Sequence, residues 1–497
     1  MTALCDRQLG ATGTSRRGPM ADQVVAAAPP PSVAEPTSAG TSMTYLGGVP
    51  FRRYALWYAL ALGAITAIWG GVLGVVLPNQ VQSIEFAKWF TGADADVDLT
   101  ALNDLKAAVN AGTAVATGEQ QRLLDLLSDF DAARAQALSL ITSLAVAATM
   151  LVQPVGGVLS DRTRSQFGRR APWIVFGALV GACFLIGVRF APTIAVLALL
   201  WTCAQTTLNL VSGPLQTTVA DRVLQEKVGT VSGIGSLGNF GGGILGGVGA
   251  GLLLPTFGLN ILYAFAALLF ISVAGFVVFA RDRPSTELAV PPHRWGPFFR
   301  GLTVPLRHRD FRWVWFSRIL LTFGYAVSTT FGLFMMQSYI TPALSLTEAT
   351  RLFPLMAVAS APGTVVAMLL AGRASDRLGR RKPLVVASSA VMALSMLVPL
   401  CWPTLAALFV QGVLAGIAFG IYLPVDQALF IDVLPDKGAA GRDPGVAALG
   451  SNLGQALGPV FAGQLIALTG GYHVVWVMAL ILTAAAGLAI FRVRDAR

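Results

Sequence analysis

Along most of this chain, apolar runs alternate with short polar turns. Each run holds about 20 residues, enough for an α-helix to cross a hydrocarbon layer of about 30 Å. Twelve spans are predicted, near 54–78, 136–160, 171–190, 193–219, 229–254, 259–280, 313–340, 350–372, 383–402, 405–430, 446–468 and 472–491. The pattern predicts an all-α membrane protein. Two connections are long. Residues 84–135 hold nine acids against four bases, and Leu102, Leu105, Leu123, Leu126 and Leu127 predict short amphipathic helices there, as an inert cap or as a gate over a mouth. Residues 281–312 hold seven arginines with Pro284, Pro291, Pro292 and Pro297, and read as a basic linker on an anionic leaflet. Residues 1–48 are rich in Ala, Pro, Ser, Thr and Gly and are expected to be a disordered tail. No apolar region follows the tail's few arginines, so it is not read as a secretory signal, and Met20 and Met43 are alternative starts.

Composition agrees. The 497 residues are 55% hydrophobic and 12% charged, with mean hydropathy +0.66, whereas a soluble chain is about 25% charged. The net charge of +10 lies in turns between spans, which argues against a nucleic-acid partner. With the N-terminus inside, 28 of the 35 Lys and Arg fall on the inner side and six on the outer, leaving Arg318 within a span. This bias predicts a plasma (inner) membrane protein with both termini cytoplasmic. Trp173, Trp313, Trp315 and Trp402 sit near span ends, as interfacial aromatics do. Cys5, Cys183, Cys203 and Cys401 lack CxxC spacing, so no disulfide framework, metal site or cofactor is expected.

The chain repeats itself. A basic turn runs from Gly157 through Ser160, Asp161 and Arg162 to Gly168, Arg169 and Arg170. A shorter copy runs from Gly372 through Ser375, Asp376 and Arg377 to Gly379, Arg380 and Arg381, with its Gly, Ser and Asp 215 residues later. Gln216 and Asp221 recur as Gln427 and Asp432. Six spans plus six with matched turns is the trace of a parallel duplication, frequent in transporters.

These turns resemble the signature loop of the major facilitator superfamily. The longer first spelling, continuing into Pro172, Trp173 and Ile174, is similar to the glycoside–pentoside–hexuronide:cation symporters and sucrose-type carriers. The resemblance covers about residues 51–495. It implies two pseudo-symmetric six-helix bundles, 51–280 and 313–495, that rock about a central cavity. It also implies that the turns latch the cavity shut on the inside. Asp161 is expected to reach the start of the eleventh span near Gly445, Asp376 the start of the fifth, and the arginines Asp221 and Asp432. Topology alone is the competing explanation: it accounts for the arginines and leaves the repeated aspartate unexplained.

Spans five and eleven carry small residues every four positions: Gly235, Gly243, Gly247, Gly251 and Gly238, Gly242, Gly246, Ala250 in one, and Gly450, Gly454, Gly458, Ala462 in the other. Such faces allow close helix approach. Drug/proton antiporters carry a proline in the corresponding glycine-rich motif, and span five lacks it. Two charges fall within spans, Arg318 and Asp426, at similar depth, and are expected to form a structural ion pair or a proton-coupling site. Spans two and four hold no acid, where sodium-coupled members of the resembled branch place theirs, so proton coupling, or else uniport, is expected over sodium coupling. Uncharged hydrogen-bonding residues within spans, namely Gln205, Asn209, Asn239, Tyr325, Tyr422, Asn452 and Gln455, together with Trp69, are the expected lining of a cavity for a small neutral solute, a sugar or glycoside first. The chain is expected to act as a monomer and not as an enzyme: His293, His308 and His473 lie outside span centres, and neither HExxH nor GxSxG occurs. Drug or metabolite efflux and a non-transporting sensor are the rival readings.

Overall fold

Span 1 is Gly48–Trp89, span 2 Gly118–Arg162, span 3 Ala171–Val188 and span 4 Ile194–Arg222. Span 5 is Gln225–Phe257 and span 6 Ile261–Phe279. Span 7 is Arg309–Thr330 continued by Gly332–Ser338 after a 47° bend. Spans 8 to 12 are Leu346–Leu378, Lys382–Cys401, Leu405–Asp432, Asp443–Thr469 and His473–Ile490. This computed structural model describes residues 48–287, 296, 305–378, 381–433 and 443–493, and at 376, 378, 431, 432 and 443–447 the backbone alone. The expected disordered tail and the middle of the 281–312 linker lie outside the described residues.

Local chemistry sets the boundaries. Pro172 and Pro383 open spans 3 and 9, where a helix has no amide bond to lose. Thr193 caps span 4 by accepting from the Val196 amide. Gly258, at φ +56°, breaks what would otherwise be one apolar rod into spans 5 and 6.

Spans 1 and 2 are longer than their apolar runs. Helix continues to Trp89 and begins again at Gly118, so nearly half of 84–135, read from sequence as a connection with short amphipathic helices, is extension of spans 1 and 2. Thr117 and Gln120 form a capping box at the start of span 2. With the short helix Leu99–Asn110, these extensions build a cap around Phe90, Leu102, Leu124, Leu127 and Phe130. Arg122 clamps Asp94 and Glu119 on its surface and holds the Asp94 carboxyl below its ordinary range. We call this the cap end and the opposite one the basic-turn end.

Neighbours repeat between the halves. Span 1 packs on 5 and 6 as span 7 packs on 11 and 12; span 4 packs on 2 and 3 as span 10 packs on 8 and 9; span 3 meets 6 as 9 meets 12. Between the halves, span 2 lies against 11 and span 5 against 8. Lipid is as apolar as the side chains, so close backbone approach rather than hydrophobic sorting holds such helices together. The Gly238, Gly242 and Gly246 stripe does this against span 1: a Cβ at these positions would lie 2.4, 2.2 and 2.1 Å from the Ala59, Gly63 and Ala67 carbonyl oxygens. Gly454 and Gly458 likewise meet the span 7 backbone, and Gly450 meets the Trp315 ring. The other stripe of span 5 turns partly to the opposite half, where Gly251 meets Thr350 and Pro354.

Candidate functional site

Where spans 5 and 8 of the seam meet spans 1, 7, 10 and 12, a cavity of about 250 Å³ remains. Two irregularities shape it. Span 1 widens into a π-turn over Trp69–Val76, where Gly70 lies against Gly243. Span 7 bends after Phe331, where Gly332 faces the Phe353 ring. Tyr325 and Thr329 of span 7, Phe353 and Ser360 of span 8, Gln411 of span 10 and Trp476 of span 12 form much of the wall, with Gly70, Gly243 and Gly247 opposite. None of the lining residues is charged.

Of the eight residues expected to line the cavity, Tyr325 does, stacked on Phe419 at 5.0 Å. The other seven are not brought to it. Asn209 donates to the Gln205 carbonyl at 2.9 Å and more weakly to Thr149, which ties it to its own bundle. Gln205 is buried, its Oε1 without a partner among the described residues. Trp69 packs half-buried on the apolar core. Asn239 and Gln455 are exposed, and Asn452 is half-buried. Tyr422 is buried one turn before Asp426, close to both in-span charges. Nothing in the residue pattern pointed to Phe353, Gln411 or Trp476: in helices apolar all round, no polar stripe marks the inward face.

Arg318 and Asp426 are paired. The Arg318 Nε donates to Asp426 Oδ2 at 2.7 Å and Nη2 donates to the same oxygen. Both are buried, and the guanidinium lies 4.7 Å over the Phe430 ring. The pair joins span 7 to span 10 within the second half.

The first basic turn is knotted inside its own half. Arg170 pairs with Asp161 and Asp221 and donates to Ser160 Oγ at 2.7 Å, and Arg169 also pairs with Asp221. Gly168, at φ +88°, leaves room for Asp282, which accepts from Arg222 at 3.0 Å. Asp161 thus turns to Arg170 rather than to span 11, and its side chain stays 55% exposed. Arg162 is half-buried, and no Cβ at Gly157 or Gly372 would meet a neighbour within 4 Å. In the second turn Arg377 is exposed, and Arg381 donates to the Ala428 carbonyl. The Asp376 side chain, Gly379, Arg380, the Asp432 side chain and the side chain end of the expected contact near Gly445 lie outside the described residues.

Hydrogen bonds join the halves at the cap end. Gln82 and Gln337 exchange hydrogen bonds at 2.7 and 3.1 Å. Arg134 donates to Gln82 at 3.0 Å and across to Ser338 at 2.5 Å, pairs with Asp131 at 2.7 Å, and lies 4.5 Å over Phe334. Thr350 donates to Asn79, the Ala343 amide to Asp104, and Lys106 to the Gly470 carbonyl. Arg134 is 1% exposed and Asp131 2%. Sequence reading left both in a polar connection. Their spacing of three on one helix, behind the Thr117 cap, was the available signal.

The major facilitator superfamily model matches residues 123–365 and 327–497. No curated protein matches the chain. Among solved structures, the nucleoside transporter NupG aligns with a TM-score of 0.63 at 15% identity, over 88% of this chain and 99% of that one. A bacterial homologue of the human lysosomal transporter Spinster, in an inward-facing, unoccupied conformation, aligns at 0.61 and 14%, over 90% and 97%. An auto-inhibited POT family peptide transporter aligns at 0.62 and 11%, over 90% and 97%. At these identities the likeness is one of fold. The matched segments run through most of the twelve helices and both halves, and this chain belongs to the major facilitator superfamily.

Proposed function

We propose that this protein is a secondary active carrier that moves a small neutral solute by alternating access, with protons as the coupling ion. The observation that carries this reading is the uncharged cavity between the two halves, which are hydrogen-bonded to each other at the cap end. The lysine and arginine bias supports a cytoplasmic basic-turn end. Aromatic rings beside an amide and hydroxyls suit a sugar or glycoside, whose apolar faces stack while its hydroxyls bond. Phe353, Met335 and Met356 favour a second reading, a more apolar metabolite or drug moved outward. Asp426 is the proposed proton acceptor: protonation removes the charge that holds Arg318 and loosens span 7 from span 10. The basic turns act as the latch of the opposite conformation, when Asp161 exchanges Arg170 for the start of span 11. Nothing in this reading requires a cofactor, a metal, enzymatic chemistry or more than one copy. The test is counterflow in proteoliposomes against a panel of sugars and drugs, with and without a pH gradient. Exchange of a neutral solute supports a carrier. Ligand binding with no exchange of any panel member would favour a sensor and overturn it.

A further inference from the structure

A second cavity, of about 410 Å³, opens between the halves at the cap end. Span 5 supplies Leu254 and Pro255 to its wall, span 8 Leu346 and Thr350, and span 1 Asn79 and Gln80. Gln80 is 5% exposed. Its Nε2 donates to the Val188 carbonyl at 2.7 Å, which fixes the amide, and its buried Oε1 has no partner among the described residues. A buried acceptor without a donor is rare enough to need an explanation. The residue after Val188 is Arg189, which also lines the cavity. Its guanidinium lies 5.4 Å over Phe190 and 5.3 Å over Tyr263, and no carboxylate pairs with it among the described residues. Phe190 is 63% exposed and Tyr263 43%, as rings at a bilayer interface are. The cleft therefore holds a cation with no carboxylate paired to it among the described residues and an apolar wall, and an acceptor lacking a donor is buried on the Gln80 side chain beside them.

We propose that this cleft binds a phospholipid headgroup. The phosphate pairs with Arg189, whose planar fork suits it. A headgroup hydroxyl or ammonium N–H donates to Gln80 Oε1. The start of an acyl chain lies along Leu254, Leu259 and Leu346, a surface that a free phosphate leaves uncovered. Because the walls belong to both halves, the bound lipid bridges them where they are already joined.

The experiment is lipid retention by the intact purified protein, read by native mass spectrometry, with phosphatidylglycerol, phosphatidylethanolamine, phosphatidylcholine and inorganic phosphate as probes. The first two are expected to bind roughly tenfold more tightly than phosphatidylcholine, whose headgroup has no hydrogen to donate to Gln80. Arg189→Gln lowers binding of all three lipids about tenfold, and Arg189→Lys, which keeps the charge but loses the fork and the ring stacking, lowers it by less. Gln80→Leu removes the preference over phosphatidylcholine and leaves the phosphate contribution. Thr347→Trp, an exposed position on the cavity wall, touches neither group and displaces the lipid by filling the cleft. Equal retention of the three lipids would overturn the proposal. So would retention unchanged in both Arg189→Gln and Thr347→Trp, or inorganic phosphate displacing lipid at equal concentration.

Discussion

Arg134 offers the sharpest test of alternating access. When the cap end opens, its bonds to Asp131 and Gln82 travel with the first half, and their energies cancel between the two states. Only the contacts that cross the seam are lost, the hydrogen bond to Ser338 and the stacking over Phe334. A hydrogen bond to a charged group contributes about 1.5–3 kcal/mol, and a desolvated cation–π contact adds about 0.5–2 kcal/mol. Arg134→Leu should therefore shift the balance toward the open cap end by about 3 kcal/mol, on the order of 100-fold. Ser338→Ala, which leaves Arg134 paired with Asp131, should shift it by roughly tenfold. The assay uses a single cysteine at Val75, which is 1% exposed and lines the cavity, after replacement of the four native cysteines. A membrane-impermeant maleimide added on the cap side should label Val75→Cys faster in both variants, in that order. Labelling at the parental rate in both folded variants would refute the claim that these bonds hold the cap end shut.

Three further outcomes are expected. Gly70→Ala should lower stability by about 3 kcal/mol, because its Cβ would lie 2.0 Å from the Gly243 carbonyl oxygen, whereas Gly249→Ala, which meets nothing within 4 Å, should be nearly neutral; thermal melts in detergent distinguish them, and equal melts would contradict the packing. Asp426→Asn should strand a buried Arg318 at about 3–5 kcal/mol, so the double variant with Arg318→Gln is the informative one: it should retain counterflow and lose accumulation driven by a pH gradient, and accumulation that persists would remove Asp426 from coupling. Asp161→Asn should fold, since Arg170 keeps Asp221 and Ser160, and should transport poorly; normal transport would end the latch reading.

Much of this architecture could be read from residue pattern. Apolar runs located the spans because helix length and bilayer thickness share a scale, and Arg318 with Asp426 stood out because charges within spans are costly. Where reading failed, the cause was physical. The stretch between spans 1 and 2 was read as a connection with short amphipathic helices, yet 118–135 runs unbroken into span 2 as one helix with a polar face. The buried Asp131 and Arg134 were missed for the same reason. The cavity was misread because Asn209 and Gln205 serve their own bundle, while aromatic residues that look like core form the wall. The π-turn in span 1 leaves no local signature beyond its glycines.

Span 2 has a mechanical consequence. At 1.5 Å per residue its 45 residues extend about 67 Å, more than twice the thickness of the ~30 Å hydrocarbon layer. It carries the cap at its start and the first basic turn at its finish. Under the proposed alternating access, a stiff rod of this length pivoting near mid-length would translate a tilt of about 5° into displacements of about 3 Å at each tip, in opposite directions. Loosening on one face of the bilayer is thereby geared to tightening on the other, and Pro154, near the turn, is where that gearing would slip.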